Sequence, residues 1–148
     1  MYRLLQNGTG GPVTLPHDGG SRHEIDLREM IQHMQDDQVK KNLKGMDDLD
    51  FTGWNNGDWN GVFAHHHTED VLVDWKGQKP THGIQAHIEA MKAYVESVGG
   101  KVPQIVSHPI SFGSGEWTCA VGEFEDGSRM VTVAKWEDGA IAEEYIWS

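Results

Sequence analysis

From Gln104 to Ser148 apolar and polar positions alternate with a period of two, in runs near 104–112, 116–125, 129–137 and 140–148. That period sends successive side chains to opposite faces, so each run predicts a strand with one face buried. The joints SGE, EDGS and EDGA are short and carry glycine, as hairpin turns do. A further alternating stretch, Asp70–Lys76, stands upstream of these four. Between them Ile84, His87, Ile88, Met91, Tyr94, Val95 and Val98 fall on one stripe of a helix that Gly99 and Gly100 stop. Closer to the start, Leu27, Met30, Ile31 and Met34 repeat at 3.6 residues, and Val39, Leu43 and Met46 follow. One long helix or two consecutive ones are expected there, with Asp26 and Glu29 as a capping pair at the beginning. The segment GWNNGDWNGVFAHHH predicts a turn and a short helix carrying Trp59, Val62 and Phe63. Residues 7–24 are rich in glycine, include Pro12 and Pro16, and show almost no apolar period, so residues 1–24 read as a flexible arm before a single domain over 25–148. Helices first and an antiparallel meander afterwards make the class α+β.

Composition narrows the partners. With 148 residues the chain is long enough for one core that buries roughly 70% of its unfolded surface. A formal charge of −11 repels nucleic acid and anionic membrane surfaces, so neither is an expected partner. The lone Cys119 has no internal partner for a disulfide, and MYRLLQNGTGGP lacks the pattern of a signal peptide; the expected compartment is the cytoplasm. No window approaches the roughly 18 apolar residues needed to span a bilayer.

Five stretches, LDFTGWNNGDW, HTEDVLVDWKG, THGIQAHIEAM, SHPISFGSGEWTCAVG and WEDGAIAEEYIW, run in order from about residue 40 to 148. They resemble the SnoaL-like polyketide cyclases and their ester-cyclase relatives, within the nuclear-transport-factor-two-like superfamily. The resemblance implies a cone-shaped barrel in which a curved antiparallel sheet wraps a deep pocket closed by helices, commonly in a homodimer. It also implies cofactor-free acid/base chemistry, such as intramolecular aldol closure. Relatives carry an acid soon after a motif like EEYIW, and no residue here matches it.

Candidate chemistry gathers around the run HHHTEDVLVDW. In the relatives' pattern a histidine stands three residues before the acid that opens the strand, which falls on His67 and Asp70. His67 then either fixes a turn through its ring nitrogens or reaches the pocket. Neither cysteine nor HExxH spacing accompanies the run, so no metal is expected. Asp74 sits among Val71, Leu72, Val73 and Trp75, where apolar neighbours would raise its pKa and suit it to general-base work; alternation also allows it to face solvent. His87 is a core residue or a catalytic partner of Asp74. His108 begins a strand, and either Glu143 or Glu144 faces the pocket; if Ile141, Tyr145 and Trp147 point inward, alternation puts Glu143 with them. The catalytic candidates are Asp74, His87, His108 and Glu144. Trp54, Trp59, Phe63, His67, Trp75, Met91, Trp117 and Trp136 are candidates to bind a small apolar or aromatic ligand by stacking. No Gly-rich phosphate loop or flavin fingerprint is present, and no cofactor is expected. Two functions stay open: a cyclase, isomerase, dehydratase or hydrolase acting on an apolar or aromatic carbonyl compound, and a noncatalytic ligand-binding or dimerisation module.

Overall fold

The structure, a computed structural model, describes residues 11–148, with side chains from Asp26 onward. The chain divides into two compact units, Met1–Gln35 and Asp36–Ser148. The arm expected over 1–24 falls in the first unit, and its first ten residues lie outside the described ones. A long helix, α1, spans Gly11–Asp48 and crosses the division. The helix therefore runs through Asp26 and Glu29 and does not start at them as a capped end. Leu27, Met30, Ile31 and Met34, the four that repeat at 3.6 residues, are exposed, whereas Met46 near the other end is buried in the second unit's core.

Two π-helical turns follow, Leu49–Trp54 and Trp59–Phe63, the second in place of the short helix expected around Trp59. The wider π turn holds one more residue per hydrogen-bonded ring than an α turn and re-aims the side chains it carries. The two turns approach closely at Gly53, where an added Cβ would lie 2.9 Å from the Phe63 backbone nitrogen. Asn55 anchors this region to the sheet, because its side chain donates to the Ile105 carbonyl at 2.7 Å and accepts from the Ile105 N–H at 2.8 Å, as a strand residue would.

The sheet has six strands: β1 His67–Trp75, β2 Thr81–His82, β3 Ile105–Ser114, β4 Trp117–Phe124, β5 Arg129–Glu137 and β6 Ala140–Trp147. Their order is β2-β1-β6-β5-β4-β3. The last four form the expected meander, and its β5–β6 turn has Asp138 at φ 49° and Gly139 at φ 83°, the left-handed pair that a tight hairpin requires. One pairing corrects the expectation: β1 joins β6 in parallel, so the sheet is antiparallel everywhere except at that seam. The second helix, α2, spans Ile84–Ser97 between β2 and β3, and buries His87, Ile88, Met91 and Val95 as its stripe predicts. Val98, also assigned to that stripe, lies just past the helix and is exposed. The core joins the inner face of the sheet (Val71, Val73, Ala120, Ala134, Trp136, Ile141, Ile146) to α2 and to Met46, Leu49, Trp54 and Phe63. Burial of this apolar surface is the main stabilising force, at roughly 25 cal/mol per Å². The architecture is thus α+β, an open curved sheet wrapped around helices. Among the described residues no helix is long and apolar enough to cross a membrane.

Replacing Gly53 by Ala forces a methyl group against backbone that cannot rotate away. The expected outcome is a loss of about 1–3 kcal/mol in urea unfolding with an unchanged m-value, and unaltered stability would contradict the close approach.

Candidate functional site

A cavity of about 410 Å³ opens within the second unit. Leu49, Trp54, Phe63, Trp75, Met91 and Ile146 supply its apolar wall, with His87 and Glu144 as buried polar points and Asp50 as a half-buried one. Few polar groups on an apolar wall is the usual composition of a small-molecule site.

Glu144 reaches this wall through an irregularity. The β5–β6 register pairs Lys135 with Glu143 but Trp136 with Ile141, which leaves Ala142 as an extra residue. A bulge of this kind reverses which face the following residues occupy. Ile141, Glu144 and Ile146 are consequently all buried, although plain alternation from Ile141 would send Glu143 inward and Glu144 out. Glu143 instead takes the Tyr145 hydroxyl at 2.8 Å on the other face.

Glu144 meets two imidazoles. Its Oε2 lies 3.0 Å from His67 Nε2 and 3.9 Å from His87 Nε2. His67 Nδ1 is 2.7 Å from the Phe63 carbonyl, which only accepts, so Nδ1 carries a hydrogen. Across the ring one proton must lie between Nε2 and the carboxylate. Burial pushes the Glu144 pKa up, but the bond from His67 and the charges of the two imidazoles outweigh it and hold the carboxyl below its ordinary value. His87 is different. Desolvation dominates over the attraction of Glu144 and brings the His87 pKa down to about 4. Phe63 packs against both rings, with centroids 4.9 Å from His67 and 5.2 Å from His87, and keeps the group dry.

A second line of groups comes from the end of α1. His108, on β3, has Nε2 2.7 Å from Asp50 Oδ2 and Nδ1 2.7 Å from Asp47 Oδ1. Asp50 belongs to the first π turn and lines the cavity, whereas Asp47 is exposed. Burial opposes charge on His108, but its bonds to Asp50 and Asp47 prevail and raise its pKa. Desolvation also raises Asp50, more than the His108 bond lowers it, and the nearby Glu144 charge adds to the rise. Asp50–His108–Asp47 is therefore a hydrogen-bonded path from the cavity to the surface.

The remaining sequence candidates take other places. Asp74 does not face His87: it has intermediate exposure, and Lys76 donates to its Oδ2 at 2.6 Å. Among the tryptophans, Trp54 and Trp75 line the cavity, as do Phe63 and Met91. Trp136 is core, with its indole N–H on Thr118 Oγ1 at 2.8 Å, and Trp59 packs edge-on against Trp54 and Phe63. Trp117 is exposed. In the histidine run each ring has a separate fate: His65 is exposed, His66 holds Asp48 at 2.7 Å, and only His67 is in the site. Asp47 and Asp50 were not singled out in the sequence. The signal that existed was their spacing, three residues apart at a helix end, which puts two carboxylates on one side.

No family profile and no curated protein matches the chain. Solved structures do. A protein from Jannaschia sp. described as SnoaL-like polyketide cyclase superposes with a TM-score of 0.64 at 16% identity, over 74% of this chain and 85% of that one. An NTF2-like protein of unknown function from Burkholderia xenovorans gives 0.57 at 12%, over 73% and 82%. A protein from Xanthomonas campestris with a cystatin-like fold gives 0.59 at 19%, over 72% and 89%. At such identities the likeness establishes the fold, which is the one the five motifs implied.

The depressed pKa of His87 has a signed consequence. Between pH 6.5 and about 4 the unfolded chain binds a proton at this residue that the folded chain does not. Stability contributed by neutral His87 is therefore lost as pH falls through that window, by up to about 3 kcal/mol. His87→Gln should remove this part of the acid-side slope in urea titrations, and an identical slope in parent and variant would mean that the ring is already charged in the fold.

Proposed function

We propose that the chain is a small-molecule enzyme that moves protons next to a carbonyl group, in the cyclase, isomerase, dehydratase or hydrolase range. The observation that carries this reading is the pairing of two carboxylates on one apolar cavity, Glu144 buried and Asp50 half-buried, each backed by an imidazole: Glu144 by His67 and Asp50 by His108. Their environments push them in opposite directions, Glu144 down and Asp50 up, which is the condition for one to accept a proton while the other donates.

In this scheme an apolar or aromatic carbonyl compound stacks against Trp54, Trp75 and Phe63. Glu144 takes a proton from the carbon beside the carbonyl, and Asp50 gives one to the carbonyl oxygen as the enol forms. His108 then returns a proton to Asp50 from Asp47, which meets solvent. Positioned acid/base groups of this kind contribute about 10² to 10⁴ in rate. The described geometry needs no organic cofactor for these transfers. The fold neighbour described as a polyketide cyclase is consistent with such chemistry. The reading includes a homodimer, supported by the exposed Ile110 and Phe112 on β3 and Trp117 on β4, and a cytoplasmic location.

Nuclear magnetic resonance in heavy water tests this without knowledge of the natural substrate. Aromatic and alicyclic ketones and β-diketones are incubated with the protein, and deuterium is followed at the carbon next to the carbonyl. Exchange by the parent should fall about 10²-fold or more in Glu144→Gln and in Asp50→Asn, and Asp74→Asn should behave like the parent. Saturable binding without exchange in the parent would favour the noncatalytic pocket.

A further inference from the structure

His87 presents a problem that acid/base chemistry leaves open. The ring is buried to 2% exposure, its Nδ1 has no hydrogen-bond partner among the described residues, and its Nε2 stands 3.9 Å from Glu144, beyond hydrogen-bond reach. Buried polar groups without a partner are rare, and each costs about 1–3 kcal/mol. Nε2, not the orphaned Nδ1, is the nitrogen that faces the one carboxylate that His67 also faces. One atom from each of His67, His87 and Glu144 lies within 4.8 Å of the other two.

We infer that His67, His87 and Glu144 form a binding site for one divalent first-row transition cation, of which zinc suits the donor set best. Two imidazole nitrogens and one carboxylate oxygen, with the fourth side open to a cavity, is a ligand set of catalytic zinc centres. Nitrogen donors select such ions over magnesium and calcium, which take oxygen. The hydrogen-bond inventory agrees. His67 Nδ1–H is held by the Phe63 carbonyl, which fixes the tautomer and turns the Nε2 lone pair toward Glu144, the orienting contact that ligating histidines usually have. The space between that lone pair and the carboxylate holds a proton or a cation, and a cation also gives His87 Nε2 a partner. Ligand atoms about 2.1 Å from a shared ion lie less than about 4.2 Å apart. The widest gap must close by a few tenths of an ångström or more, and cavities bordering His87 leave its ring room to do so.

The adjacent run His65-His66-His67 cannot itself surround an ion, and the site does not use it that way. It takes one histidine from the run, one from α2 and the acid from β6. A bound cation occupies Glu144 and so excludes it as proton acceptor, whereas Asp50, His108 and Asp47 keep their roles. The inference goes beyond the proposed proton chemistry and competes with it for Glu144; metal content reads the one and deuterium exchange by the metal-free chain reads the other.

The test uses the untagged full chain, stripped with chelator and dialysed against zinc or cobalt(II), with metal content measured by mass spectrometry. One equivalent should remain, and cobalt should show the intense visible bands of a low-coordinate nitrogen/oxygen site. Glu144→Gln and His87→Gln should each weaken zinc binding by about 10-fold or more, with circular dichroism confirming that they fold. His65→Gln combined with His66→Gln should keep the full equivalent, and magnesium should not compete. Sub-stoichiometric metal in the parent, loss of binding in the His65/His66 variant alone, or equal binding of magnesium would each overturn the site. If the core variants do not fold, the cobalt spectrum of the parent decides: weak bands of a six-coordinate, water-rich ion rule it out.

Discussion

The contact between His67 Nε2 and Glu144 Oε2, 3.0 Å long and buried, ties the functional half of the molecule together. His67 is the first residue of β1 and Glu144 lies in β6, and these two strands pair in parallel. A parallel seam cannot be closed by a hairpin and needs a long connection. Here 64 residues of chain lie between the two strands, so local sequence does little to set their register. A buried ionisable pair does, because sliding β1 by one residue would strand both partners without a counterpart. The Phe63 carbonyl completes the arrangement by fixing the His67 ring from the π turn before the strand.

Much of the fold could be read from period alone. The β3–β6 boundaries differ from the alternating runs by at most two residues, and the α2 stripe was right except at Val98. What could not be read depends on events between strands. Nothing in IAEEYIW says that Ala142 is surplus; only the partner register around Lys135 and Trp136 makes it so, and with it Glu144 exchanges places with Glu143. The parallel β1–β6 seam is invisible for the same reason. The exposed stripe Leu27–Met34 shows the converse failure, since a helical period states that a face is apolar without stating what covers it.

The candidate site was half legible. His87 stood out on an apolar helical stripe, His108 at the start of a strand and Glu144 as one of two acids on the last strand, and all three are held in hydrogen-bonded or charge-coupled groups. Asp74 had the same sequence credentials, yet pairs with Lys76 two residues on, a contact that alternation on one strand face makes easy. Asp50 escaped notice because GMDDLDF reads as an acidic helix end. The π turn that rotates Asp50 alone into the cavity, leaving Asp47 and Asp48 exposed, arises from hydrogen bonding rather than from residue type.

The pairing of each acid with an imidazole also bears on what can enter. The chain carries a formal charge of −11, and an unpartnered carboxylate inside it would be costly twice, through desolvation and through repulsion by the rest of the surface. Glu144 and Asp50 each share a proton with a histidine, so each pair is close to neutral as a unit. The cavity then presents two opposed dipoles on an apolar wall. An anionic ligand meets repulsion outside, and the cation at the cavity's edge, Arg129, is already paired with Glu123 at 3.0 Å. A neutral molecule loses less on desolvation than an ion does. The same two hydrogen bonds that keep the acids stable in the interior thus also offset their charge at the cavity wall.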